Sequence, residues 1–205
     1  MEQFALWLRA DWMKEQSVID NIKGIYRPGW QAQHGTAFHK VIETPEPFRV
    51  PGGYRADGIL FSDEDIAECL PCFDRSGVFE LKATKEYEID GQIVTVVTKV
   101  DQAIGGHIEE NKTKWSQFDI DAYFDSMQWR YYLESFGALS VRYNVFCFDK
   151  RADESVHLRS IERFRLYPYP KLREDCVGLL YRFVDYVRTK GLESCLADDR
   201  WSKAA

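Results

Sequence analysis

Residues 78–86, VFELKATKE, alternate in a way that constrains the fold more than any other stretch of the chain. Successive side chains of a strand point to opposite faces, so Phe79 and Leu81 would share one face, and Glu80 and Lys82 the other. One face packs and the other carries an acid and a base side by side. Taken alone, this is a surface ion pair on an edge strand, contributing roughly 0 to 1 kcal/mol. A catalytic reading needs support from elsewhere in the chain.

Composition sets the outer limits. The chain has 205 residues, 45% hydrophobic and 29% charged, which is enough for one domain with a full core. A single domain over residues 1–205 is expected, with its core at about 30–190. The start, MEQFALWLRADWMKEQ, lacks the basic opening and the unbroken apolar stretch of a signal peptide, and no run approaches membrane-spanning length. A cytoplasmic protein with no membrane association is expected. The net charge of −6 argues against a protein that coats nucleic acid with a general basic surface. It does not exclude a nuclease, because carboxylates that hold cations add negative charge of their own.

Five cysteines with one close pair, Cys69 and Cys72, do not make a disulfide framework. A four-cysteine metal or iron-sulfur site built from Cys69, Cys72, Cys176 and Cys195 is the alternative to reduced structural thiols. The wide spacing of the second pair favours the thiols.

Along the chain, the pattern predicts a helix to about residue 27, a break at YRPGW, and a second helix over GTAFHKVIE, 35–43, ended by TPEP. His39 and Glu43, four apart, share a face of that helix. PFRV and YRADGILF read as a hairpin about Pro51, Gly52 and Gly53, with Asp57 in a strand that bulges. The strand containing Glu80 begins near Gly77. YEID and QIVTVVTKV pair about Asp90-Gly91, and AIGGHIEENKTKW reads as a mobile loop, so 85–118 is treated as an insertion. A helix follows from Asp119 or Asp121 to Phe136, closed by Gly137. LSVRYNVFCF and SIERFRLYPY read as two strands joined by DKRADES, and an amphipathic helix closes at Gly191.

His39, Asp57, the pair Glu80 and Lys82, and Gln128 with Tyr132 are polar where an apolar residue would pack at lower cost. Burying unpaired ionisable groups costs several kcal/mol each, so such a set persists if its members satisfy one another or an ion. Asp57, Glu80 and His39 could ligate a divalent cation, and Lys82 could orient or acidify the attacking water.

In motif content and order the chain resembles the RecB-like, phage-type exonuclease branch of the PD-(D/E)xK nuclease superfamily. The matching pieces are Gly35, His39 and Glu43 in GTAFHKVIE, Asp57 in RADG, Glu80 and Lys82 in ELK, and Gln128 and Tyr132 in QWRYY. The resemblance spans about residues 30 to 150. It implies an α/β (α+β) restriction-endonuclease-like core, a mixed central sheet flanked by helices. It also implies Mg2+- or Mn2+-dependent hydrolysis of DNA phosphodiesters. On this resemblance His39, Asp57, Glu80 and the main-chain carbonyl of Leu81 are metal ligands, and Lys82 assists the nucleophilic water. Gln128 and Tyr132 steady the site and the DNA backbone. The gap between Lys82 and Gln128 is longer than the pattern expects, and the cysteine pattern of cluster-bearing relatives is absent, so no iron-sulfur cluster is expected.

The implied function is a DNA exonuclease in end processing, repair or recombination, in a bacterial or phage-infected cell. A homo-oligomeric ring and a single-strand annealing or recombination partner are compatible with it. The rivals are an endonuclease of restriction or junction-resolving type and a DNA-binding protein with a decayed site. Lys23, Arg27, Lys40, Lys82, Lys85, Lys112 and Lys114 could track a phosphate backbone, or simply be solvated. Trp30 and Trp115 could stack on bases, whereas Trp129, within a helix, reads as core.

Overall fold

Asp90 and Gly91, both at positive φ (51° and 72°), form the tight turn that folds β4 (Val78–Ile89) back on β5 (Gln92–Ile104). These strands begin a five-stranded sheet completed by β6 (His107–Lys114), β7 (Ser140–Lys150) and β8 (Val156–Leu166), in that order. Every pairing is antiparallel except β6 with β7. A parallel pair needs a crossover, which α5 (Ile120–Asp125) and α6 (Gln128–Phe136) supply. A small antiparallel sheet holds β1 (Arg49–Val50), β2 (Gly53–Ala56) and β3 (Ile59–Ser62). The computed structural model describes residues 1–9, 14–25, 28–150 and 156–196.

The remaining helices are α1 (Glu2–Arg9), α2 (Glu15–Ile22), α3 (Trp30–Glu43), α4 (Asp63–Cys69), α7 (Leu172–Thr189) and α8 (Glu193–Leu196). On one face of β7, Val141, Tyr143 and Val145 pack with Trp129 and Leu133 of α6; on the other, Phe146 and Phe148 pack with Phe38 and Ile42 of α3. This two-sided cover makes β7 an almost unbroken buried run. A third cluster joins α1, α2 and α7 to Tyr87, Ile89 and Val96 at the far end of the β4–β5 hairpin. The protein is thus a mixed α+β fold with a five-stranded mixed sheet flanked by helices, compatible with a restriction-endonuclease-like core.

Four expectations change. The stretch 85–118 is not a loop: it supplies the last five residues of β4, all of β5 and all of β6. Its Gly105-Gly106 pair is a tight turn with φ of 54° and 85°. The N-terminal helix is two helices, and the helix expected to end at Phe136 is α5 and α6, broken at Ser126, whose Oγ accepts the Gln128 N–H at 3.1 Å. Asp57 sits with Gly58 in the turn between β2 and β3, at φ 49°, not in a bulged strand. Cys69 and Cys72 pack beside α3, whereas Cys176 lies in the α1–α7 core with Cys195 against it, so the four thiols occupy separate clusters. Arg27 and residues 151–155 of DKRADES lie outside the described residues. Among the described residues, no helix is long and apolar enough to cross a membrane.

Candidate active site

Pairing between β5 and β6 is brief. It runs from Gln102 opposite Glu109 to Ile104 opposite His107 and stops, while β6 continues beside β7 as far as Lys114 opposite Cys147. Where the ladder opens, the β6 main chain loses its partner strand, and a side chain takes over: Asp101 Oδ2 accepts the Asn111 N–H at 2.7 Å. The fork therefore brings a carboxylate from β5 against the middle of the sequence Glu110-Asn111-Lys112.

Alternation along β6 divides these residues between the two faces of the sheet. Glu110 and Lys112, opposite Tyr143 and Val145, face α6; Asn111, opposite Asn144, faces α3. On the α6 side, Glu110 is 1% exposed, and its Oε1 accepts from Lys112 Nζ at 2.5 Å and from the Tyr132 hydroxyl at 3.1 Å. Gln128 Nε2 donates to that hydroxyl at 2.7 Å, one helical turn away. Glu110 Oε2 is buried without a hydrogen-bond partner. Burial pushes the Glu110 carboxyl up, opposed by the Lys112 ammonium. Burial would lower Lys112, but Glu110 and Asp101 outweigh it and hold the ammonium above its ordinary range.

On the α3 side, His39 Nε2 donates to the main-chain oxygen of Asn111 at 3.1 Å, while its Nδ1 lies 3.5 Å from Glu43 and 4.0 Å from Asp101 Oδ2. Burial acts to lower the imidazole, and these two carboxylates reverse it, leaving His39 raised. Gly35 makes this approach feasible: a Cβ there would stand 2.9 Å from Thr113 Oγ1. Four helical residues rise about 6 Å and two strand residues about 6.6 Å, so α3 seated at Thr113 through Gly35 brings His39 level with Asn111.

The expected convergence of His39, Asp57, Glu80 and Lys82 is not what the structure contains. Asp57 is about half exposed and bound by Lys40 Nζ at 2.8 Å. Glu80, in a left-handed conformation, pairs with Lys99 across the hairpin, and Lys82 is exposed opposite Lys99. Leu81 pairs with Val100 and is 36% exposed. The reason is position: β4 is an edge strand whose charged residues here lie in water, and Glu80, left out of the ladder with β5, reaches Lys99 across the hairpin and not Lys82 as the strand pattern suggested. Of the predicted residues, His39, Gln128 and Tyr132 do converge, but on Asp101, Glu110, Asn111 and Lys112. The sequence carried a signal for them: a second Glu-x-Lys preceded by an aspartate, with Lys112 only 16 residues before Gln128.

The supposed lysine track is also dispersed. Lys40 binds Asp57, Lys85 binds Glu134 at 2.8 Å, and Lys112 belongs to the site. Trp129 is buried; Trp30 and Trp115 lie together, ring centroids 4.6 Å apart, against the buried His34.

No family model matches this chain. No curated protein matches it either. Among solved structures, it is similar to a protein from Eubacterium rectale provisionally described as an exonuclease, with a TM-score of 0.46 and 14% identity over 84% of this chain and 72% of that one. It is also similar to a protein named SSO0001, with a TM-score of 0.39 and 18% identity over 55% of each chain. The chain thus spans about half the length of SSO0001.

Among the described residues, no three His, Cys, Asp or Glu side chains are arranged to hold a metal ion by themselves. The donor set at the fork is mixed: the Asp101 carboxylate, the His39 imidazole and the Asn111 main-chain oxygen, with the unpartnered Glu110 Oε2 behind them. Hard oxygen donors with one imidazole suit Mg2+ or Mn2+.

Proposed function

We propose that the protein is a divalent-cation-dependent deoxyribonuclease whose working residues are His39, Asp101, Glu110, Asn111 and Lys112, acting as an exonuclease on DNA ends. One observation carries this reading: a buried glutamate paired with a half-buried lysine on β6, beside an aspartate at the point where the strands part. A buried ion pair contributes little to stability, since well-packed apolar residues often do as well or better. A fold that keeps one next to an orphaned carboxylate oxygen has the features of a site that performs chemistry.

Asp101, Glu110, His39 and the Asn111 carbonyl would hold the cation. Bound there, Mg2+ or Mn2+ would supply a Lewis acid that lowers the pKa of water and neutralises phosphate charge. Lys112 keeps its proton under the combined influence of Glu110 and Asp101, so its ammonium can orient a hydroxide and offset charge growing on the phosphate oxygens. Tyr132 and Gln128 hold Glu110 through one hydrogen-bonded chain, which gives them a positioning role in place of the DNA contact expected from the sequence. Asp57, Glu80 and Lys82 have no part in this scheme.

The test is to incubate the protein with end-labelled linear duplex, single-stranded and closed circular DNA, with Mg2+ and with a chelator, and to size the products over time. Mononucleotides or short oligomers from linear DNA, with the circle intact, support the exonuclease. Nicking of the circle moves the reading to an endonuclease. DNA bound but never cut, with Mg2+ or Mn2+ present, would make it a binding protein.

A further inference from the structure

Behind Asn111, on the face turned from Glu110 and Lys112, runs a row of hydrogen-bonded side chains that the scheme above does not use. Asn144, fully buried on β7, donates from Nδ2 to Asn111 Oδ1 at 3.0 Å and to Glu109 Oε2 at 3.4 Å, and accepts from Arg163 Nε on β8 at 3.1 Å. Arg142 Nε anchors Glu109 Oε2 at 2.6 Å. The amide has one consistent orientation: arginine only donates and carboxylate only accepts, so Oδ1 must face Arg163 and Nδ2 must face Glu109 and Asn111. Cross-strand register sets the row, since Asn111 lies opposite Asn144 and Asn144 opposite Arg163.

We infer that Asn144, backed by Arg163, is a positioning residue that fixes the main-chain carbonyl of Asn111 in the cation site. The inference rests on the nuclease reading. The Asn111 peptide unit is constrained on three sides: its N–H is bound by Asp101, its oxygen faces His39, and its side chain is clamped by Asn144. β5 has already left β6 at this point, so no ladder partner on that side holds the strand against tilting. The clamp takes over that role, and a carbonyl that ligates a cation is sensitive to small tilts because coordination tolerates little error in distance.

The test uses the full-length protein without DNA, titrated with Mn2+ calorimetrically, followed by DNA cleavage across a Mg2+ series. Asn144→Ala is expected to raise the Mn2+ dissociation constant and the Mg2+ midpoint about tenfold or more. KM for DNA at saturating Mg2+ should stay within about twofold, because no DNA contact is removed. Arg163→Met, which removes the donor from an exposed position, should shift the same two quantities in the same direction by a smaller factor, and Arg163→Lys, which keeps a donor, should restore most of it. A wild-type protein that binds Mn2+ and cleaves DNA, with variants sharing its cation affinity, would overturn the inference and leave the nuclease reading standing. A wild-type protein that neither binds Mn2+ nor cleaves DNA would overturn both.

Discussion

Asp101 Oδ2 accepts the Asn111 N–H at 2.7 Å where β5 and β6 cease to pair, so a side chain replaces the strand that would otherwise have held β6. Two jobs are combined in one carboxylate: it ends the sheet ladder, and it brings negative charge to Lys112 and His39.

Asp101→Asn and Lys112→Ala should therefore each lower DNA cleavage by at least about a hundredfold, while Asp57→Ala, Glu80→Ala and Lys82→Ala stay within about twofold of wild type. Parallel time courses on one labelled duplex, at equal folded protein, compare the two sets directly. Cleavage lost in the second set and kept in the first would return the site to the edge strand.

Tyr132→Phe removes the hydroxyl that links Gln128 to Glu110 and leaves the buried Glu110 and the half-buried Gln128 each short of a hydrogen bond. Destabilisation of about 1–3 kcal/mol is expected in urea unfolding. A fall of roughly tenfold in kcat should accompany it, with KM for DNA little changed, because the hydroxyl acts through Glu110.

Gly35→Ala would place a methyl 2.9 Å from Thr113 Oγ1 and push α3 off β6. A loss of about 1–3 kcal/mol is expected from such overpacking. The double variant Gly35→Ala, Thr113→Ala removes the opposing atom and should recover much of the loss in thermal melts. An additive double variant would show that the close approach does not matter.

His34 is 3% exposed with both ring nitrogens unpartnered, and burial lowers its pKa to about 4. A depressed folded-state pKa means that the unfolded chain binds the proton first. Stability from this group is complete above the unfolded value near 6.5 and drains away as pH falls towards 4, by up to about 3 kcal/mol. Urea unfolding at pH 7 and pH 4.5 should show this slope in the wild type and a shallower one in His34→Phe.

Periodicity and turn chemistry act over a few residues, and whatever depends on them alone is legible in the sequence. Asp90-Gly91 closes a hairpin, Gly137 ends α6 in the left-handed region, and α7 carries its apolar stripe. His39, Gln128 and Tyr132 stand out because each is a polar side chain on a helix otherwise patterned for packing.

The tertiary structure decided which Glu-x-Lys is enclosed and which faces water. IEENKTK is polar enough to pass for a loop, and its Glu109, Glu110 and Asn111 are polar because they are buried against one another, against α3 and against α6. Local sequence cannot distinguish a charged pair facing water on an edge strand from one enclosed in the middle of a sheet, since both obey the same two-residue alternation. Strand order makes the distinction: β4 ends at the edge, whereas β6 lies between β5 and β7 under two helices, where the cost of burying charge is met only by Asp101, Lys112 and Tyr132 gathered from distant parts of the chain.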